Sequence, residues 1–204
     1  ERWAALFEKA GARYAGPVVE HHDGFALWDS AVTPWNAVDT GPQRDLTGEL
    51  AKAIRNHGMR FVATFHHARN HLFQDESGEW KGHYGGLGQH FPSLLRDPLD
   101  AMMYGYLPET QFDKLWLAKL VEVIDRYQPD LIWFDVWLHR ISERRRAEFA
   151  AYYYNQAARW GRDVVVTRKQ DDLPLGFSIE DFEKGRAGEL TERWWLTDDT
   201  ISTG

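Results

Sequence analysis

The feature that most constrains this sequence is a repeated order. Short β-branched or aromatic runs alternate with longer segments of 3.6-residue apolar period, and chemically capable polar residues stand where each short run stops. The pattern predicts strands over 14–20, 60–65, 130–135, 163–167 and 177–182, and helices over 2–11, 46–57, 109–127 and 142–160. Helix 109–127 is the clearest, because Phe112, Leu115, Trp116, Leu120, Val123, Ile124 and Tyr127 make one stripe and Pro129 ends it. Strands alternating with helices imply an α/β fold with a parallel sheet, either doubly wound or closed into a barrel. No Gly-rich phosphate loop follows any strand, which weakens a nucleotide-binding reading.

The strand ends decide between the two. They carry Glu20-His21-His22-Asp23, His66-His67, Trp133-Phe134-Asp135, Arg168-Lys169 and Glu180-Asp181-Phe182-Glu183. A (β/α)8 TIM barrel gathers the carboxyl ends of its strands at one mouth, where such clusters converge. About five strands are visible where the barrel needs eight, so the expected fold is an incomplete TIM-barrel-like catalytic domain spanning 1–204. A polar, Gly-rich excursion over 67–107 is long enough to be expected to have a function.

Composition narrows the partners. Net charge is −7 and the basic residues are scattered, which excludes the electrostatic footprint of a nucleic-acid binder. The absence of cysteine removes disulfides, thiolate metal sites and a cysteine nucleophile. No apolar run approaches the ~20 residues of a membrane span, and no basic-then-apolar leader precedes Glu1. Ten Trp among 204 residues fit a sugar-binding cleft, since flat amphipathic rings stack on sugar C–H faces. Trp116, Trp194 and Trp195 fit core or rim packing equally well.

An ionised Asp135 at the end of an apolar strand is costly unless it is used or paired. With Glu183 or Glu180 it forms the carboxylate pair that glycoside hydrolysis needs. The histidines lack the His-Glu-x-x-His spacing of helical zinc motifs. Adjacent strand residues point to opposite faces, so one of each pair, His21-His22 and His66-His67, is expected to face the site. A metal centre of the amidohydrolase kind is the alternative use of these histidines. As neutral donors to sugar hydroxyls they need no metal, and no cofactor is expected.

Three stretches resemble a known family. His21-His22-Asp23-Gly24-Phe25-Ala26-Leu27-Trp28, followed by Trp35-Asn36-Ala37-Val38-Asp39 and Arg44-Asp45-Leu46, resembles the signature of α-L-fucosidases, glycoside hydrolase family 29. The run from Tyr127 to Asp135 resembles the family's nucleophile strand. Phe182-Glu183-Lys184-Gly185-Arg186 with Trp195-Leu196-Thr197-Asp198 resembles its acid/base region. The resemblance implies a retaining hydrolase that removes terminal α-L-fucose from oligosaccharides or glycoconjugates. Carried over, it makes Asp135 the nucleophile and Glu183 the acid/base, with Glu180 as the alternative. His21, His22, His66, Trp133 and Lys169 then bind substrate, Arg168 being the substitute for Lys169. Trp133 and Phe134 are candidates for an apolar patch against the C6 methyl.

Family members also carry an earlier strand with a further substrate-binding His and a C-terminal β-sandwich, which these residues do not match. The chain is therefore expected to be truncated, and oligomerisation would cover its open sheet edges. By analogy the compartment is periplasmic or extracellular. Against the fucosidase reading stand a metal-dependent barrel hydrolase and a catalytically dead fucose-binding fragment.

Overall fold

The computed structural model describes residues 1–170 and 172–200. In chain order the elements are α1 (Arg2–Lys9), β1 (Tyr14–Ala15), β2 (Val18–Glu20), α2 (Leu46–Asn56) and β3 (Arg60–Phe65). Next come β4 (Phe73–Gln74), β5 (Trp80–Lys81), α3 (Gly85–His90), α4 (Pro98–Met103) and α5 (Glu109–Tyr127). The series ends with β6 (Leu131–Phe134), α6 (Glu143–Trp160), β7 (Val165–Arg168), β8 (Ile179–Glu183) and β9 (Trp195–Asp198).

One curled seven-stranded sheet runs in the order β1-β3-β6-β7-β8-β9, with β2 also paired to β3, and every pairing in it is parallel. It is the wall of a half-barrel clad by helices, as the strand–helix alternation predicts. Two features differ from the sequence expectation. The predicted strand over 14–20 is broken at Gly16-Pro17, where a Cβ on Gly16 would stand 1.7 Å from the Val62 carbonyl oxygen. The sheet also extends one strand beyond the five expected, because β9 pairs with β8 after a connection that contains no helix.

Strand alternation divides the two faces. On β6, Ile132 and Phe134 are buried, while Leu131 and Trp133 on the concave face are half-buried. Phe134 packs against Trp116 of α5 and Phe149 of α6, with ring centroids 5.9 and 5.2 Å away. Phe134 therefore belongs to the core between sheet and helices and does not supply the apolar patch expected at the mouth.

The amino-terminal end of β6 is closed by a separate carboxylate. Asp130 accepts from the Phe61 amide at 2.9 Å and pairs with Arg60 and Arg162, each at 3.3 Å. This staple lies at the amino-terminal face of the barrel, opposite the strand ends that carry the polar clusters.

Much of the first signature is scaffold. Asp45 caps α2 by accepting from the Gly48 amide at 2.9 Å and is itself held by the Tyr127 hydroxyl at 3.0 Å. Asn36, fully buried, donates to Asp39 at 2.7 Å and accepts from the Val38 and Asp39 amides. Glu122 of α5 receives the Trp28 indole N–H and the Ala31 amide, both at 2.7 Å. The 67–107 excursion contains the antiparallel β4–β5 hairpin and two short helices. No helix among the described residues is long and apolar enough to cross a membrane.

Candidate active site

The site is assembled where β2, β3, β6, β7, β8 and β9 end. On β6 the two-residue period sends Trp133 and Asp135 to one side and Phe134 to the other. Asp135 is pinned there because its amide donates to the Phe65 carbonyl at 3.1 Å. His66 Nδ1–H donates to Asp135 Oδ2 at 3.0 Å, and the Lys169 ammonium stands 3.4 Å from Asp135 Oδ1. Burial alone would raise the Asp135 carboxyl, but the His66 hydrogen bond and the Lys169 charge outweigh it and hold the group well below the usual carboxylate range. It is an ionised, partly buried carboxylate.

Lys169 is the electrostatic centre. Its ammonium contacts Glu183, donates to Asp198 Oδ2 at 3.0 Å and lies 4.8 Å from the Trp133 ring centre. Burial lowers its pKa, and the bonds to Glu183 and Asp198 more than restore it, so it stays charged. Arg168 is turned the other way, donating to the Leu173 carbonyl at 2.7 Å, and does not substitute for Lys169.

The two carboxylates left open by sequence separate on β8. Asp181 accepts from the Trp133 indole N–H at 2.6 Å and Glu183 contacts Lys169, so these alternate residues point toward the mouth. Glu180 falls on the opposite face, lining a separate cleft with Phe182, Leu190, Trp194 and Trp195. Glu183 itself remains well exposed, 62% for the side chain.

Three histidines gather beside Asp135. His21 stacks on His66 with ring centroids 4.3 Å apart and meets His22 edge-on at 4.2 Å. The expectation that only one of His21 and His22 faces the site is corrected here. The chain has left β2 at Glu20, and a turn closed by the Gly24 amide on the His21 carbonyl replaces strand alternation. Gly24 has φ +74°, and a Cβ there would stand 1.9 Å from the Met103 carbonyl oxygen, so the turn requires glycine. His66 and His67 do diverge: His67 is buried against Trp116, its ring bonded to the Trp116 carbonyl at 3.2 Å. Burial pushes the His22 ring down to about 4, and burial is the largest influence lowering His21, so both are neutral donors or acceptors near pH 7.

Sequence reasoning named no role for Asp181 or Asp198. Both were within quoted motifs, and their signal is the two-residue period with Glu183 on β8 and the pairing of Asp198 with Glu183 across β8–β9. Burial, then the neighbouring Asp198 charge, raises Asp181 to about 6. Glu20, also at a strand end, is not in the mouth: it is fully buried and holds Lys119 at 2.5 Å.

A parallel half-barrel with carboxylates, imidazoles and one shared ammonium at its strand ends defines the class as a (β/α)-barrel protein with its polar mouth at the carboxyl face. Comparison with known proteins narrows this. The family model described as Alpha-L-fucosidase matches residues 1–204, and the chain belongs to that family. Tissue alpha-L-fucosidase of Rattus norvegicus is 33% identical over 175 residues, covering 80% of this chain and 33% of the relative. The chain spans about a third of the length of the curated relatives it matches. The Thermotoga maritima alpha-fucosidase in complex with fucose superposes with a TM-score of 0.64 at 28% identity, covering 96% of this chain and 40% of that one. The same protein in complex with a mechanism based inhibitor gives 0.65 at 28% identity, over 92% and 38%.

Proposed function

We propose that this chain is the catalytic part of a retaining α-L-fucosidase barrel, removing terminal α-L-fucose from fucosylated oligosaccharides or glycoconjugates. The observation that carries the reading is the ionised Asp135 at the mouth, sharing the Lys169 ammonium with Glu183. One ammonium touching both limits how far apart the two carboxylates can stand, which is compatible with the roughly 5–5.5 Å spacing that retaining glycosidases use. Family membership, together with a similar structure that holds fucose, supports the sugar.

In the first step an Asp135 oxygen attacks the anomeric carbon, the bond to the leaving oxygen breaks, and Glu183 transfers its proton to that oxygen. The product is a glycosyl ester on Asp135. In the second step Glu183, now a carboxylate, takes a proton from water whose oxygen attacks the same carbon, freeing fucose and restoring Asp135. Substrate entering between the two carboxylates takes over the Lys169 contact from Glu183, which frees Glu183 to carry its proton. His21, His22 and His66 donate to or accept from ring hydroxyls, and Trp133 offers its face to the sugar.

The test is the stereochemistry of the first product. Proton NMR during hydrolysis of 4-nitrophenyl α-L-fucoside should show α-L-fucose before mutarotation, and β-L-fucose appearing first would reject double displacement.

A further inference from the structure

Three imidazoles meet beyond the ends of β2 and β3. One ligand nitrogen from each of His21, His22 and His66 lies within 4.8 Å of those of the other two. Two of the rings are already oriented through Nδ1. His66 Nδ1 faces Asp135 Oδ2 at 3.0 Å, and His22 Nδ1 faces the His66 carbonyl oxygen at 3.2 Å. An ionised carboxylate and a carbonyl oxygen only accept, so each Nδ1 carries a proton and Nε2 is the ring atom left to meet a cation. Metal-binding histidines are held in this way, with a carboxylate or carbonyl fixing the far side of the ring. The third ring, His21, is exposed.

We propose that His21, His22 and His66 form a three-imidazole site for a borderline transition-metal cation such as Zn2+, with solvent in the fourth position. Tetrahedral bonds of about 2.0–2.1 Å need nitrogens roughly 3.3 Å apart, so small ring rotations contract the cluster onto the ion. The donor set is all nitrogen, which selects against hard cations such as Mg2+ that require oxygen. The same three rings are assigned above to sugar hydroxyls. Resting on that reading, cation and fucose exclude one another, and the metal is a competitor of substrate.

Isothermal calorimetry of the EDTA-treated protein with ZnCl2 tests the site, with the visible spectrum of added Co2+ as a second readout. The expected result is one bound Zn2+ per chain, a four-coordinate Co2+ band and no heat from MgCl2. Affinity for Zn2+ should fall at least about tenfold in His21→Ala and in His66→Gln, with unchanged circular dichroism. His21 is exposed, so its removal spares the buried core. No binding by the unmodified protein, or binding unchanged in both variants, overturns the site. Saturating L-fucose should weaken Zn2+ binding. If the variants abolish binding but fucose does not compete, the metal site stands and the sugar assignment of these histidines fails.

Discussion

Lys169 and Asp135 face each other just beyond the ends of β7 and β6, with the ammonium 3.4 Å from Oδ1. That charge helps to hold the carboxylate ionised against burial. Lys169→Met removes it, so the Asp135 pKa moves up toward its ordinary value. The proposed nucleophile acts only when ionised, so the acid limb of kcat/KM should move to higher pH. A profile of unchanged shape would show that Lys169 does not tune Asp135.

Glu183 and Glu180 stand on opposite faces of β8, which separates their effects. Glu183→Ala should lower kcat about 10²-fold or more on fucosides with poor leaving groups, and much less on 4-nitrophenyl α-L-fucoside, whose leaving oxygen needs little protonation. Azide should restore part of the loss by replacing activated water. Glu180→Ala should stay within about twofold of the parent. Steady-state kinetics on the two substrate types decide, and the reverse pattern would move the acid/base role to Glu180.

Asp181 is raised to about 6 in the fold. A carboxyl raised on folding binds more protons folded than unfolded, so its contribution falls as pH rises from its ordinary value through about 6 and stays low above that. Asp181→Asn keeps an acceptor for the Trp133 indole and removes the charge beside Asp198. Thermal melts should find the variant more stable than the parent at pH 7.5, on the order of 2 kcal/mol, and equal to it near pH 4. Equal stability at both pH values would contradict the raised carboxyl.

The strand–helix order and the identity of the strand-end residues were legible because periods of 2 and 3.6 are local properties. That is why α5, β3 and β6 stand within a residue or so of expectation. Other features depend on contacts between distant segments. The break at Gly16 comes from the Val62 carbonyl of a neighbouring strand, and β9 is recruited by pairing with β8 although Trp195–Asp198 has little β-branched content. Within the site, Asp135, Lys169 and the histidines were legible as types. That His21 and His22 share one side depends on a glycine turn, and the preference for Glu183 depends on β8 register. The sequence also offered Phe134 for an apolar patch against the sugar, and the helical layer claims it.

The Glu20–Lys119 pair is an ion pair with both side chains almost wholly buried, at 2.5 Å. Burial raises the Glu20 carboxyl, and Lys119 is the opposing influence. Lys119→Met strands the buried Glu20 carboxylate, and denaturant unfolding should register a loss of about 3–5 kcal/mol. Glu20→Gln combined with Lys119→Met should recover much of it. A single variant as stable as the parent would mean the pair contributes nothing.

The most direct measurement is turnover of 4-nitrophenyl α-L-fucoside by the protein beside its Asp135→Gly variant, with α- and β-galactosides as controls. The account predicts fucoside-selective release of nitrophenol, a loss of at least about 10³-fold in the variant, and retained binding of L-fucose. An Asp135→Gly protein that hydrolyses the fucoside at the parental rate would contradict it.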